Sequence, residues 1–196
     1  MSNQHLINPR GTSGSGKTTL AKAILALYDT KEDVFREGRK RPIYTLHSDT
    51  SRPDARILMA LGHYEAACGG CDTITELDDV FDLVRIGLAN EYDVLFEGLI
   101  LSGEIARTLA LGVEIVTGEQ EFHVIALNTP VLDCVENVNK RRRARGVEEP
   151  VRPKNTVAKA RCVELTIARI AGQVGIDASR ASFDEAFDKI RGLLDV

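Results

Sequence analysis

Gly11-Thr12-Ser13-Gly14-Ser15-Gly16-Lys17-Thr18 satisfies the pattern G-x-x-x-x-G-K-[ST] at every position. Leu6-Ile7 before it opens a short strand, and Leu20, Ala23, Ile24 and Leu27 after it recur at helical spacing. Asn8 and Pro9 are less apolar than a central parallel strand usually is, so the strand is expected to end early. Strand, glycine-rich loop and helix together form a phosphate cradle. The glycines let successive backbone N–H groups point inward, and the helix adds the positive end of its dipole. Gly11, Thr12, Ser13, Gly14, Ser15, Gly16, Lys17, Thr18 and Thr19 are therefore the candidate nucleotide-binding residues. Lys17 is placed to bridge the β- and γ-phosphates of ATP, and the Thr18 hydroxyl to ligate Mg2+. A Gly/Ser-rich surface turn is the bland alternative, and the complete strand–loop–helix setting argues against it.

Outward from the loop, strands and helices alternate. Residues 42–47 and 56–62 read as strands separated by the turn formers of 48–54, which predicts a hairpin and makes Asp49 and Asp54 turn residues. An amphipathic helix is expected over 75–90, a buried strand over 92–96, and a helix over 100–111. A second buried strand follows at 122–127, then a helix over 131–145 with a basic end, stopped by Gly146. Past Pro150 and Pro153, a helix over 156–172, a last strand over 174–178 and a terminal helix over 183–194 complete the chain. This alternation predicts an α/β fold of the P-loop NTPase, kinase-like type: three α/β/α layers, a parallel central sheet of about five strands and an inserted hairpin. One domain over 1–196 is expected, with the hairpin insertion near 43–72 and a lid-like basic segment near 138–156.

Composition narrows the classes. With 196 residues, 43% apolar and 28% charged, the chain builds its own core, and 5% aromatic residues without Trp argue against a base-stacking platform. The four cysteines Cys68, Cys71, Cys134 and Cys162 are too few and too scattered for a disulfide framework. No apolar run is long enough for a bilayer and no signal layout opens the chain, so a cytoplasmic protein without a membrane partner is expected, in the host cytoplasm if phage-encoded. The net charge of −4 is uneven. Residues 140–161 carry nine basic side chains (Lys140, Arg141, Arg142, Arg143, Arg145, Arg152, Lys154, Lys159, Arg161) against Glu148 and Glu149, a local +7 that leaves −11 elsewhere. Such asymmetry points to a polyanion handled by one segment.

Two carboxylates and two arginines are the catalytic candidates beside Lys17. Glu97 closes the Val94-Leu95-Phe96 strand, where it can hold metal-bound water or accept a proton; a helix-capping role is the alternative. Thr18 and Glu97 form the candidate metal pair. Asp72 in Cys71-Asp72-Thr73 lies before a helix and reads either as an acceptor-side carboxylate or as an N-cap. Arg142 and Arg145, three apart, share a helix face and suit a lid that stabilises a transferring phosphoryl group; a solvated basic helix end is the alternative. His63, Cys68 and Cys71, with His47 as a fourth, form a weak zinc pattern beside the reading of a tight loop with reduced thiols.

No Asn-Lys-x-Asp follows the Leu127 strand, no Asp-x-x-Gly switch follows another, and no Gly-Gly-Gln signature is present, which leaves a compact kinase. Gly62-His63-Tyr64-Glu65, Cys68-Gly69-Gly70-Cys71-Asp72-Thr73-Ile74, Leu95-Phe96-Glu97-Gly98, Leu127-Asn128-Thr129-Pro130 and Pro153-Lys154-Asn155-Thr156 resemble phage P-loop kinases across nearly the whole chain. That family includes the 5-hydroxymethyluracil DNA kinases of thymidine-hypermodifying phages. The resemblance implies transfer of the ATP γ-phosphate, with Mg2+, to the 5-hydroxymethyl group of 5-hydroxymethyluracil in DNA, a step in thymidine hypermodification. It implies phosphate-backbone contacts from 140–161 and from Arg39-Lys40-Arg41, on a base that is flipped or single-stranded. Similarity to other small kinases places adenine recognition near Arg141 and the strand ending at Arg180. A small-molecule kinase of the adenylate or thymidylate type and a nucleotide-dependent binding or toxin-like switch are the competing readings. The choice of general base and the oligomeric state stay open.

Overall fold

The computed structural model describes residues 3–65, 69–115, 118 and 120–196. One sheet organises them, with strands β1 (Gln4–Arg10), β2 (Thr30–Val34), β3 (Tyr44–Ser48), β4 (Leu58–Leu61), β5 (Asp93–Leu95), β6 (Gln120–Leu127) and β7 (Asp177–Ala181) in the order β2-β3-β4-β5-β1-β6-β7. The helices are α1 (Lys17–Leu25), α2 (Leu77–Ala89), α3 (Ala106–Ile115), α4 (Val131–Arg143), α5 (Pro153–Ile170) and α6 (Phe183–Leu194). The sheet is mixed, with seven strands rather than the expected parallel five. Pairings from β4 through β5, β1 and β6 to β7 are parallel, and those of β2 with β3 and β3 with β4 are antiparallel. The residues read as a hairpin are thus part of this sheet, since β4 also pairs with β5.

Alternation along the central strands sends neighbouring side chains to opposite faces. Leu6, Val94, Phe96, Phe122 and Val124 join one cluster with Val84 of α2, Leu111 of α3 and Val163 of α5. Ile7, Leu95, Ile125 and Leu127 join another with Leu20 and Ile24 of α1 and Ile190 of α6. Burial on both faces is the usual condition of strands joined by helical crossovers.

β1 does not end early but runs through Asn8 and Pro9 to a fully buried Arg10. The polar side chains are satisfied inside: Asn8 donates to the Phe96 carbonyl at 2.5 Å, and Arg10 donates to Asn8 Oδ1 at 2.7 Å, the Glu104 carbonyl at 2.7 Å and Thr108 Oγ1 at 2.6 Å. Pro9 is tolerated because it follows His5 and Ile7, whose backbone faces β5, and β5 has ended at Leu95 before a donor from Pro9 would be needed.

Other boundaries differ from expectation; α5 begins at Pro153 rather than 156, since proline is tolerated in the first helical turn. The helix read over 100–111 is a short 3-10 turn at Leu101–Gly103 followed by α3. The last strand lies at Asp177–Ala181 rather than 174–178, because the apolar Ile176 packs over Gly112 as a lead-in while 177–181 makes the ladder with β6. β2 was not anticipated; Thr30-Lys31-Glu32-Asp33-Val34 is polar because it is the exposed edge strand, where charge is the normal protection. No helix among the described residues is long and apolar enough to cross a membrane.

Candidate active site

Where β1 ends, the chain turns at Gly11 and re-enters the structure as α1, so the phosphate loop sits at the C-terminal edge of the central strand. Lys17 opens α1, is 7% exposed, and donates through Nζ to the Gly11 carbonyl at 2.8 Å and the Thr12 carbonyl at 3.3 Å. Burial lowers its pKa, and Glu97 and Asp72 act in the opposite direction. Two hydroxyls of the loop, Thr12 Oγ1 and Ser15 Oγ, are buried with no hydrogen-bond partner among the described residues, an arrangement that costs free energy unless a polar ligand meets it.

α4 and the residues that lead into it are pressed against this loop. Thr129 donates to the Ser15 carbonyl at 2.7 Å and Asn137 to the Gly14 carbonyl at 3.0 Å. The approach needs Gly14, whose φ of 84° is in the left-handed region and whose absent Cβ would collide with the Cys134 carbonyl oxygen.

Glu97 is held from behind. Phe96 is fully buried between Phe81 and Phe122, with ring centroids 6.4 and 5.9 Å away, and its N–H donates to the Ile7 carbonyl. The next residue, 1% exposed, therefore projects from a fixed point, and Glu97 Oε1 accepts from Thr18 Oγ1 at 2.9 Å. Burial raises the Glu97 pKa to about 7, against the opposing pull of Lys17 and the Thr18 hydrogen bond. Its bond is thus to a side chain in the first turn of α1.

The loop that carries Asp72 lies directly on this strand end. Cys71 N–H donates to the Glu97 carbonyl at 2.8 Å, and Gly70, at φ 65°, permits it: a Cβ there would stand 2.6 Å from that carbonyl and 2.7 Å from Glu97 Oε1. Among the described residues Asp72 caps no helix. Its Oδ1 accepts from the Leu99 N–H at 2.7 Å, and Glu76 is the residue before α2. Cys71 is buried and its thiol pKa is pushed up by burial, so it is an inert packing group here.

These groups enclose a cavity of about 430 Å3 lined by Ser13, Gly14, Ser15, Gly16, Lys17, Thr18, Thr19, Lys22, Asp72, Glu97, Leu99, Asn137, Lys140 and Arg141. Its cations and its two carboxylates suit a polyphosphate with a divalent ion. Thr18 and Glu97 supply the hard oxygen donors that Mg2+ takes, so the residues present fit that ion. Arg142 and Arg145 do not line this cavity. Asn137, Lys140 and Arg141 recur at the spacing of one helix face, whereas Arg142 turns away and donates to the Glu149 carbonyl at 2.7 Å, and Arg145 is exposed. Asn137 and Lys22 were missed in the sequence, and Lys140 was named there in the basic segment but not at the nucleotide; their signal was the helical spacing from Arg141 and from Thr18.

Arg180 faces a different space. It lines a cavity of about 170 Å3 with Gly11, Thr12 and Asn128, and donates to Glu164 at 3.3 Å. Arg39 and Arg41 are tied to the loop before α2, Arg39 to the Thr73 carbonyl at 3.4 Å and Arg41 to His63 at 3.4 Å. Of the zinc pattern, Cys68 lies outside the described residues, and among the described residues His47, His63 and Cys71 form no ligand cluster.

A 5-hmdU DNA kinase of Pseudomonas phage PaMx11 is 44% identical over 197 residues, the match covering 100% of both chains. The chain belongs to the 5-hmdU DNA kinase family. No protein-family model matches it.

Proposed function

We propose that the chain is a phosphotransferase that moves the γ-phosphoryl group of ATP to the 5-hydroxymethyl oxygen of 5-hydroxymethyluracil in DNA. Membership of the 5-hmdU DNA kinase family supports the acceptor. The observation that carries the chemistry is the meeting of Lys17, Thr18, Glu97, Asp72 and Arg141 around one cavity at the end of β1. We read the fold as a P-loop kinase of one domain, with the loop backbone of residues 11–16 and Lys17 holding the β- and γ-phosphates.

In this reading Thr18 and Glu97 hold Mg2+, which would neutralise charge on the polyphosphate. Glu97 is thereby engaged on the phosphate side, which leaves Asp72 as the carboxylate for the acceptor, oriented by its bond from the Leu99 N–H. The acceptor oxygen forms a new P–O bond as the bond between γ-phosphorus and the β,γ-bridging oxygen breaks. ADP departs, and the hydroxyl proton passes to Asp72. Arg141 and Lys140 balance charge on the phosphoryl oxygens from α4. The segment 138–156 acts as the lid. Arg142 on the Glu149 carbonyl and Asn139 Oδ1 accepting from the Val151 N–H at 2.8 Å fold the turn back on α4.

Transfer of labelled γ-phosphate to DNA containing hydroxymethyluracil, unmodified DNA, and the free nucleoside and nucleotide tests the reading. Label is expected in the modified DNA alone, and Lys17→Ala is expected to reduce it by at least about 10²-fold. Label on a free nucleotide with none on DNA would sink the polymer acceptor.

A further inference from the structure

A second cluster of polar side chains sits at the opposite end of the central strands from the phosphate loop. His5 and Glu121 are direct partners in the parallel register of β1 and β6, and His123 lies two residues beyond Glu121 on the same face. His5 Nδ1 and His123 Nε2 are 3.3 Å apart, His123 Nε2 and Glu121 Oε2 3.3 Å, and His5 Nδ1 and Glu121 Oε2 3.6 Å. Ligands about 2.0–2.1 Å from a tetrahedral zinc ion lie about 3.3 Å from one another, so these atoms outline one face of such a coordination shell.

The surroundings orient the ligands. His123 Nδ1 lies 3.0 Å from Asp177 Oδ2, in the strand next to β6, and Lys189 of α6 donates to the same oxygen at 2.8 Å. When Nδ1–H donates to that carboxylate, the lone pair of Nε2 faces His5 and Glu121. This carboxylate–histidine relay is the usual support of a metal-bound imidazole. A simple hydrogen bond between the two histidines requires neither Glu121 at a matching distance nor Asp177 behind His123. Both imidazoles are buried, and Glu121 is 42% exposed, so an ion can enter beside it and keep water in the remaining position.

We propose that His5, Glu121 and His123 form a site for a divalent transition metal of the zinc type, with Asp177 as the positioning residue for His123. Two imidazoles and one carboxylate in a tetrahedral outline favour zinc over the harder ions that take only oxygen. The ion would tie β1 to β6 and, through Asp177 and Lys189, to β7 and α6.

Zinc alone tests this, titrated into chelator-treated full-length protein with Mg2+ and a reductant present, using competition with a chromophoric chelator and the visible spectrum of Co2+ as a substitute. One equivalent is expected to bind at micromolar concentration or below, with a tetrahedral Co2+ spectrum and a rise in melting temperature. His123→Gln is expected to abolish binding, Glu121→Gln to weaken it at least about 10-fold, and Asp177→Asn by about 10–100-fold. Glu121 is exposed, so Glu121→Gln keeps the test decisive if His123→Gln does not fold. Absence of binding overturns the proposal, and so does binding that Glu121→Gln leaves unchanged, which would place the ion at the thiols.

Discussion

Glu97 is a carboxylate whose environment works against its charge. Burial lifts its pKa from 4.5 to about 7, so in the pH range between those values the folded protein holds a proton that the unfolded chain releases. Stability from this group is therefore greatest at low pH and is lost as pH rises toward 7. Glu97→Gln is expected to remove that part of the slope: urea midpoints of the two proteins should diverge between about pH 5 and 8, the variant becoming the more stable at the upper end. Asp93, raised to about 6 by burial, contributes a similar slope in both proteins, so the difference between them is the quantity to read. Parallel curves would show that Glu97 is ionised throughout. The same variant should lose at least about 10²-fold in Mg2+-dependent transfer, because a site built for function is destabilised without its ligand. At this scale the sequence was informative where chemistry dictates residue type: Lys17, Thr18 and Glu97 converge as their motif positions suggest. It placed Thr12 and Ser15 in the loop but could not show that their hydroxyls are buried and unpartnered among the described residues, which emerges only when the loop is folded.

Among the elements, α4 shows most clearly what a linear reading leaves out. Residues 140–143 are all basic, so composition alone cannot say which of them turns inward. The helix settles it, since the face set by Cys134 against Gly14 and Asn137 on the loop carries Lys140 and Arg141 with it. Arg141→Ala is accordingly expected to lower the turnover number by about 10²–10³-fold, in the range of a lost transition-state cation, whereas Arg142→Ala should change it only a few-fold. Steady-state kinetics on the two variants decide between them, and equal losses would count against this face of α4. Helices α2 and α6 were legible because their apolar residues recur at helical spacing, and α4 because of its basic end and the Gly146 stop, although Cys134 is its one buried residue. β2 was not, because an exposed edge strand needs no apolar alternation, and the course of β1 past Asn8 was hidden by side chains that are polar yet paired inside the core.

For the molecule as a whole, charge is the property that the fold redistributes. α4 and α5 pack together, so the basic end of one and the basic start of the other form one tip beside the cavity. Lys154 lies in the first turn of α5, which holds no acidic residue, a placement the helix dipole opposes unless phosphate is nearby. Lys154→Gln with Lys159→Gln, both at exposed positions, is expected to weaken DNA binding regardless of sequence. It should also flatten the plot of log affinity against log salt by about 0.9 per lost contact on duplex and about 0.7 on single strands. An unchanged slope would move the DNA path elsewhere. The α/β class was readable from the alternation of elements, but the mixed sheet was not, because its antiparallel part depends on a polar strand and on β4 serving two neighbours. Beneath the phosphate loop, Arg10 remains a different kind of charge: fully buried, lowered to about 10 by desolvation against the pull of Glu104, and hydrogen-bonded among the described residues to neutral oxygens of Asn8, Glu104 and Thr108. With Thr12 Oγ1 and Ser15 Oγ also buried and unmet above it among the described residues, a polyanion that binds the folded loop and not the unfolded chain slows opening. Resistance to proteases would then follow the supply of nucleotide, and starvation for it would mark the protein for turnover.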